Sequence, residues 1–297
     1  MDKYSYSIII TCYNKEATIA RAVESALAQG PNVEVIVVDD CSHDDSWEVL
    51  LNLPEMIRLH KIQSHTNSGA LSSYLTGFRA ASGQYLVMLD GDDVLLPNIL
   101  NSISYSELLD TDVCLRIGMA PLELDKDYRD CDVTSVEKKI TFSPGYLFAV
   151  TQNTGGTAYI FPKSIFEKSD TEWEQLIVQD HILPGVISLY CEKFIKLKTV
   201  GYKYESSSHI DKLGNQTHRK NCDRILSDLH IFNRAEILNV NPFARMLLKL
   251  AALVRARKYV KKYNIKEASL TIRLLFANNI KFDSACRRVA LKIVSSE

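Results

Sequence analysis

Twice in the first hundred residues a strand-forming run stops on carboxylates. Tyr85-Leu86-Val87-Met88-Leu89 runs into Asp90, Asp92 and Asp93, and Val33 to Val38 runs into Asp39 and Asp40. Clustered carboxylates repel one another unless positive charge sits between them. The common solution is a divalent cation, Mg2+ or Mn2+, often itself clamping a phosphorylated ligand. At the carboxyl end of a strand in an open α/β sheet, such a ligand lies where these folds bind nucleotides. Each cluster also has a structural reading. The acidic trio can be a solvated turn ahead of Pro97, and Asp39-Asp40 can cap a helix near Ser46.

Strand and helix alternate around these runs. Tyr6 to Thr11 reads as a strand. Asn14 is placed to cap the next helix, in which Ile19, Ala22, Val23, Ala26 and Leu27 recur at helical spacing before Gly30 ends it. Val33 to Val38 reads as a strand buried on both faces. Helices at Ser46–Leu53 and Ser68–Ala81 and a strand at Ile57–Ile62 complete the pattern. Four strands separated by helices predict right-handed crossovers and an α/β fold, a mostly parallel sheet flanked by helices. The 297 residues suffice for one large domain with an appendage. After Pro97 the pattern loosens. A helix is expected at Asn98–Leu109, a strand at Val113–Ile117, a charged loop at Asp125–Lys139 and turns at Ser143-Pro144-Gly145 and Thr154-Gly155-Gly156-Thr157. A helix at Glu172–Tyr190 is interrupted by Pro184, a polar loop covers Ser206–Asn221, and the rest reads as helical. The expected division is residues 1–222 and a basic helical extension, 223–297.

Strands one, two and four of such a sheet bring their carboxyl ends around one crevice. Thr11, Tyr13, Asp40 and Asp92 can converge there on a single ligand. Carboxylates accept from a base's imide N–H or from ribose hydroxyls, and Tyr13 can stack on a base.

Taken in order, Ser7-Ile-Ile-Ile-Thr-Cys-Tyr-Asn14, Val35-Ile-Val-Val-Asp-Asp-Cys-Ser42, Asn67-Ser-Gly69 and Leu89-Asp-Gly-Asp-Asp93 resemble the successive motifs of the family 2 glycosyltransferases of GT-A fold. The resemblance covers residues 5 to 100 firmly and 140 to 220 loosely. It implies a Rossmann-like nucleotide-binding half. It also implies transfer, with inversion, of a sugar from a nucleotide-diphosphate donor, UDP by default. The acceptor would be a hydroxyl of a glycan or lipid-linked glycan, in bacterial surface polysaccharide synthesis. Carried residue by residue, it puts Thr11, Tyr13, Asp39, Asp40, Asn67, Gly69 and Asp90 around the donor. Asp92 would face the ribose or a metal, and Asp93 the Mn2+ or Mg2+ that bridges the diphosphate. His209, or else His218, would be a further metal ligand. Asp180 in Val178-Gln179-Asp180-His181 matches the catalytic base, with Gln179 where the family has another acid. Where the family has an Ala-Arg-Asn segment that helps hold the donor, this chain has Ser73-Tyr74-Leu75, which leaves diphosphate contacts to residues such as Arg79 or Lys203. Thr154-Gly155-Gly156-Thr157 sits where family members form an acceptor-side loop, and glycines there allow close approach. Two rivals fit part of this pattern. A nucleotidyltransferase usually brings a Gly-rich basic loop, which Thr11-Cys-Tyr-Asn-Lys15 is not. A non-catalytic scaffold would bind the nucleotide sugar without turnover.

The net charge of -1 gives no global field toward nucleic acid, yet residues 245–297 hold 13 Lys and Arg against three acids. Phe243, Leu247, Leu250 and Val254 share a helical face near Arg255, Arg257, Lys258, Lys261 and Lys262. Cys286, Val289, Ala290 and Ile293 form a second stripe beside Arg287, Arg288 and Lys292. Such helices dock on an anionic membrane surface, or serve as a helical cap or oligomer contact. Seven cysteines, an odd number without CxxC spacing, predict a reducing compartment. No leader and no run of about 18 apolar residues are read. The expected location is the cytoplasm, with the inner face of the plasma membrane as a peripheral address.

Overall fold

The computed structural model describes residues 5–106, 109–122, 127–150, 157–169, 179–205 and 217–263. In chain order β1 (Tyr6–Cys12), α1 (Ile19–Leu27), β2 (Val33–Asp39), α2 (Ser46–Asn52), β3 (Leu59–Gln63), α3 (Ala70–Ala80) and β4 (Tyr85–Asp90) form the first half. Their strands lie in the order β3-β2-β1-β4 and all pair in parallel. Every residue of β1 and β2 is buried, because helices cover both faces of the sheet. Ile8, Ile10, Val35 and Val37 pack in one cluster with Ala22, Val23 and Ala26 of α1. Their sequence neighbours Ile9, Ile36 and Val38 pack in the other, with Leu71, Leu75 and Phe78 of α3. This is the two-residue alternation of a strand.

One buried charge interrupts β2. Glu34 accepts from the Ser7 hydroxyl, the Ser82 hydroxyl and the amides of Ser82 and Gly83. It ties β1 and β2 to the α3–β4 turn at the amino ends of the strands. A Cβ on Gly83 would lie 2.7 Å from the Ser7 nitrogen, so only glycine fits this turn.

The second half comprises β5 (Val94–Leu95), α4 (Ile99–Tyr105), β6 (Val113–Pro121), β7 (Lys138–Phe142), α5 (Leu147–Val150), β8 (Tyr159–Pro162), α6 (Lys163–Lys168), α7 (Gln179–Ile187), β9 (Lys193–Tyr204), α8 (Thr217–Ile237) and α9 (Pro242–Tyr263). Here the sheet becomes mixed. β8 runs antiparallel between β4 and β6, while β9 pairs parallel with β6 and antiparallel with β5 and β7. The β5–β9 pairing sets Leu95 opposite Tyr202 and so brings the end of β9 under the end of β4.

The expected α/β class is the observed one, but two local readings change. Asn14 does not cap α1. It has a left-handed backbone (φ 52), which Asn tolerates better than most residues, and its Oδ1 accepts from the His43 amide across the neighbouring loop. The helix starts five residues later, after Thr18. Residue 222 falls inside α8, and Ile231, Phe232 and Ala235 of α8 share one core with Leu248, Ala252 and Ala256 of α9, Phe148 and Ile182. These helices are layered on the α3 face of the sheet.

Candidate active site

The strand order 3-2-1-4 places a topological switch point at the carboxyl ends of β1 and β4. Register puts Thr11 between Val38 and Asp90, and Cys12 beside Asp39. The loops then turn over these ends. The Asp40 amide donates to the Cys12 carbonyl at 2.8 Å, and the Gly91 amide to the Thr11 carbonyl at 2.9 Å. A Cβ on Gly91 would meet that carbonyl oxygen at 2.6 Å, so glycine is what lets the acidic loop sit against β1.

Each carboxylate has a different task. Asp39 is fully buried and accepts from the hydroxyl and amide of Ser42 at 2.5 and 3.1 Å. Asp40 accepts from the Ser68 and Gly69 amides at 2.8 and 2.7 Å, fixing the loop that enters α3. Neither caps α2. The N-cap is Asp45, which makes no side-chain cap bond, and Asp44 just before it takes the Ser46 amide on its Oδ1 at 3.0 Å. Tyr13 is 40% exposed and set edge-on to His43, and Asn67 is exposed.

Asp90 points inward. Its Oδ1 accepts from Tyr74 at 2.8 Å and its Oδ2 from Thr157 at 2.9 Å, while Thr11 is at 3.5 Å. Asp93 is also turned in, toward the Tyr202 hydroxyl at 2.7 Å and the Glu205 amide at 2.9 Å. Asp92 alone meets a cation: its Oδ2 lies 3.0 Å from the Lys15 ammonium. The Lys15 loop is held rigidly. The amides of Asn14, Lys15 and Glu16 donate to Ser42, Ser46 and Asp44, while Glu16 accepts from the Asp45 amide. Arg21 of α1 bridges the Asp92 carbonyl (3.0 Å) and the Glu205 carboxylate (3.1 Å), joining the acidic loop to the end of β9.

The Tyr202 and Thr157 oxygens are 2.9 Å apart, so Asp90, Thr157, Tyr202 and Asp93 form one continuous hydrogen-bonded chain. Each hydroxyl carries one proton, so a single proton shared by the two carboxyls satisfies every contact in it. Burial first, then the charge of Asp90, push the Asp93 carboxyl up to about 7, against the Tyr202 and Glu205 donors that lower it. Burial likewise raises the Tyr74 and Tyr202 hydroxyls well above their ordinary range, so both stay protonated.

A pH effect follows from this shift. The folded value lies above the unfolded one, so protonation favours the fold. The stability this supplies is complete below about pH 4 and is lost as pH rises through about 7. Asp93→Asn, which mimics the neutral acid, should melt at a temperature less sensitive to pH across that window than wild type. Melting curves at stepped pH check it. Identical pH slopes for the two proteins would refute the upward shift of Asp93.

Residues 7–117 match the model of glycosyl transferase family 2. Over these residues the chain is similar to the family 2 glycosyltransferases. Over 103 residues, 34% of this chain and 41% of the relative, the sequence is 37% identical to the UDP-Glc:alpha-D-GlcNAc-diphosphoundecaprenol beta-1,3-glucosyltransferase WfaP of Escherichia coli. The chain spans only 27% to 41% of the length of the first curated relatives it matches. Its fold resembles that of S. aureus TarS, with a TM-score of 0.62, 19% identity and coverage of 88% of this chain and 44% of that one. It also resembles the mannosyltransferase PcManGT from Pyrobaculum calidifontis, crystallised with GDP-Man and Mn2+, at TM-score 0.54 and 16% identity, covering 99% and 88%.

Within residues 7–117, the structure assembles Thr11, Asp39, Asp40, Gly69, Asp90, Asp92 and Asp93 around the ends of three strands. Thr154, Gly155, Gly156 and His209 lie outside the described residues. Asp180 stands in the first turn of α7, and its side chain, like that of His218 in α8, is also outside them. Arg79 is exposed on α3, and Lys203 sits in β9 opposite Val94. A divalent cation fits the chemistry here in one way. Among the described residues no group of three or more His, Cys, Asp or Glu could hold a metal by itself. Asp92 already accepts a cation on one oxygen, and hard cations such as Mg2+ are often held by one or two carboxylates plus phosphate oxygens of the ligand. Sequence reasoning gave no site role to Lys15, Arg21, Tyr202 or Glu205, named Tyr74 only within a departure from the family segment, and put Thr157 in an acceptor-side turn and not beside Asp90. The adjacency of Lys15 to the Thr11–Asn14 motif was a usable signal for one of them. Thr157 and Tyr202 lie 67 and 109 residues from the carboxylates they hold, so no local pattern marks them.

Proposed function

We propose that this protein transfers a glycosyl group from a nucleoside-diphosphate sugar, UDP-linked by default, to a hydroxyl of a glycan or lipid-linked glycan, with inversion at the anomeric carbon. The observation that carries this reading is Asp92, a nearly buried carboxylate at the switch point of the sheet with a cationic partner on its outer oxygen. The UDP-sugar and lipid-linked acceptor in the name of WfaP support the donor and acceptor classes.

The residues divide the work. Asp39 and Asp40 shape the crevice floor, and the exposed Tyr13 and Asn67 would meet the nucleoside. Asp92 would hold the divalent cation, with His209 as a further ligand. Asp93 was expected to share that role, but it is turned toward Tyr202 and the Glu205 amide, and we assign it to positioning the acidic loop. When bound, the cation neutralises the departing diphosphate. Lys15 is near enough to Asp92 to add positive charge at the same place. In the transfer itself the acceptor oxygen attacks the anomeric carbon as the bond to the diphosphate breaks. The hydroxyl proton passes to Asp180 as general base. One displacement with one base inverts the centre.

Thermal melting with UDP, GDP, dTDP and CMP, each with and without Mn2+, tests this reading. A single nucleotide, UDP by default, should stabilise the protein by about 2.7 kcal/mol at a hundredfold excess over its dissociation constant, and only with the metal. No metal-dependent shift with any of the four would overturn it, and binding without turnover would mark a scaffold.

A further inference from the structure

Helix α9 is built inside out. It runs 22 residues, about 33 Å. Its core-facing side is mostly alanine, with Ala244, Ala252 and Ala256 joining Leu248 and Leu253 in the interior. Four other apolar residues face solvent. Phe243 is 63% exposed, Met246 47%, Leu250 48% and Val254 66%. Steps of three and four residues place these four along one stripe, which Arg257, also exposed, continues. The turn into the helix adds Ile237 and Leu238, both exposed. A helix that only covered the sheet would have its large side chains inward.

Charge selects the occupant of this stripe. The helix contains seven Lys or Arg and no Asp or Glu. Two copies apposed through it would set like charge against like. An apolar stripe on a helix whose charged residues are all cations complements a surface that is anionic outside and apolar beneath. No helix among the described residues is long and apolar enough to cross a membrane. We propose that α9 lies in the plane of an anionic lipid bilayer surface, with Phe243, Met246, Leu250 and Val254 inserted at the headgroup boundary, Arg257 meeting lipid phosphates, and the net positive charge of the helix drawing it to the surface. This stands independently of the transfer reading, although a lipid-linked acceptor would be met at such a surface.

Sedimentation of the full chain with vesicles tests it. Vesicles containing phosphatidylglycerol should pellet the protein, phosphatidylcholine vesicles should not, and added salt should weaken binding. Leu250→Asp and Val254→Asp should each lower partitioning about tenfold or more with circular dichroism and melting temperature unchanged. The side chain of Val254 is two-thirds exposed, so that variant keeps the test valid if Leu250→Asp fails to fold. Three results would overturn the proposal: no binding to anionic vesicles, undiminished binding by Val254→Asp, or a wild-type dimer that Val254→Asp converts to monomer.

Discussion

Asp180→Asn should lower turnover by about a thousandfold while nucleotide affinity stays at the wild-type level. The substitution keeps the shape of the side chain and removes its capacity to take a proton. The acceptor hydroxyl would then attack while still protonated, or pass its proton to water. The neighbouring Gln179 cannot relieve the defect, because an amide is not a base at neutral pH. Donor binding and chemistry should separate, because the amide keeps the shape of the side chain and loses only its basicity. Single-turnover transfer, together with calorimetric titration of the nucleotide, reads both quantities. Wild-type turnover in the variant would remove Asp180 from the mechanism. A loss of nucleotide affinity equal to the loss of rate would show that it acts on the donor instead.

Asp92→Asn should reduce kcat/KM by about a hundredfold or more and move half-saturation by Mn2+ to higher concentration. The amide presents one neutral oxygen where the carboxylate presents charge. Diphosphate departure then loses the cation that Asp92 would anchor. The ion pair with Lys15 is largely buried, 17% and 5% exposed for the two side chains, so its loss should cost more than that of a surface pair, on the order of 1 to 3 kcal/mol. A stability loss large enough to explain the kinetics would mean that Asp92 supports the loop and nothing more. Unchanged Mn2+ dependence in a stable variant would place the metal elsewhere. Lys15 sharpens the contrast, because in the variant its ammonium is released from Asp92 and becomes available to phosphate.

The first half of the fold was readable because its information is local. Ile8, Ile9 and Ile10 alternate between two clusters, and α1 buries Ile19, Ala22, Val23 and Ala26 at helical spacing. Those patterns predict a parallel α/β sheet without any distant contact. The carboxylates at the ends of β2 and β4 were visible for the same reason. Asn14 misled because its side chain had two local uses, helix cap and loop bridge. Only the packing of residues 13–16 against 42–46 decided between them. The mixed second half was less legible. β9 bonds to β5, β6 and β7 in both directions, and a strand read alone does not name its partners.

By itself the sequence determined that carboxylates stand at the carboxyl ends of neighbouring parallel strands, since strand periodicity and crossover handedness follow from short-range sterics. Tertiary structure alone decided how those carboxylates differ. Asp90, Asp92 and Asp93 are near-identical in sequence setting. Tyr74 and Thr157 hold Asp90, Tyr202 and the Glu205 amide hold Asp93, whose carboxyl burial and the Asp90 charge push up, and Lys15 pairs with Asp92. The physical reason is that a carboxylate's charge and orientation depend on the donors and dielectric around it, and here elements distant in the chain supply both.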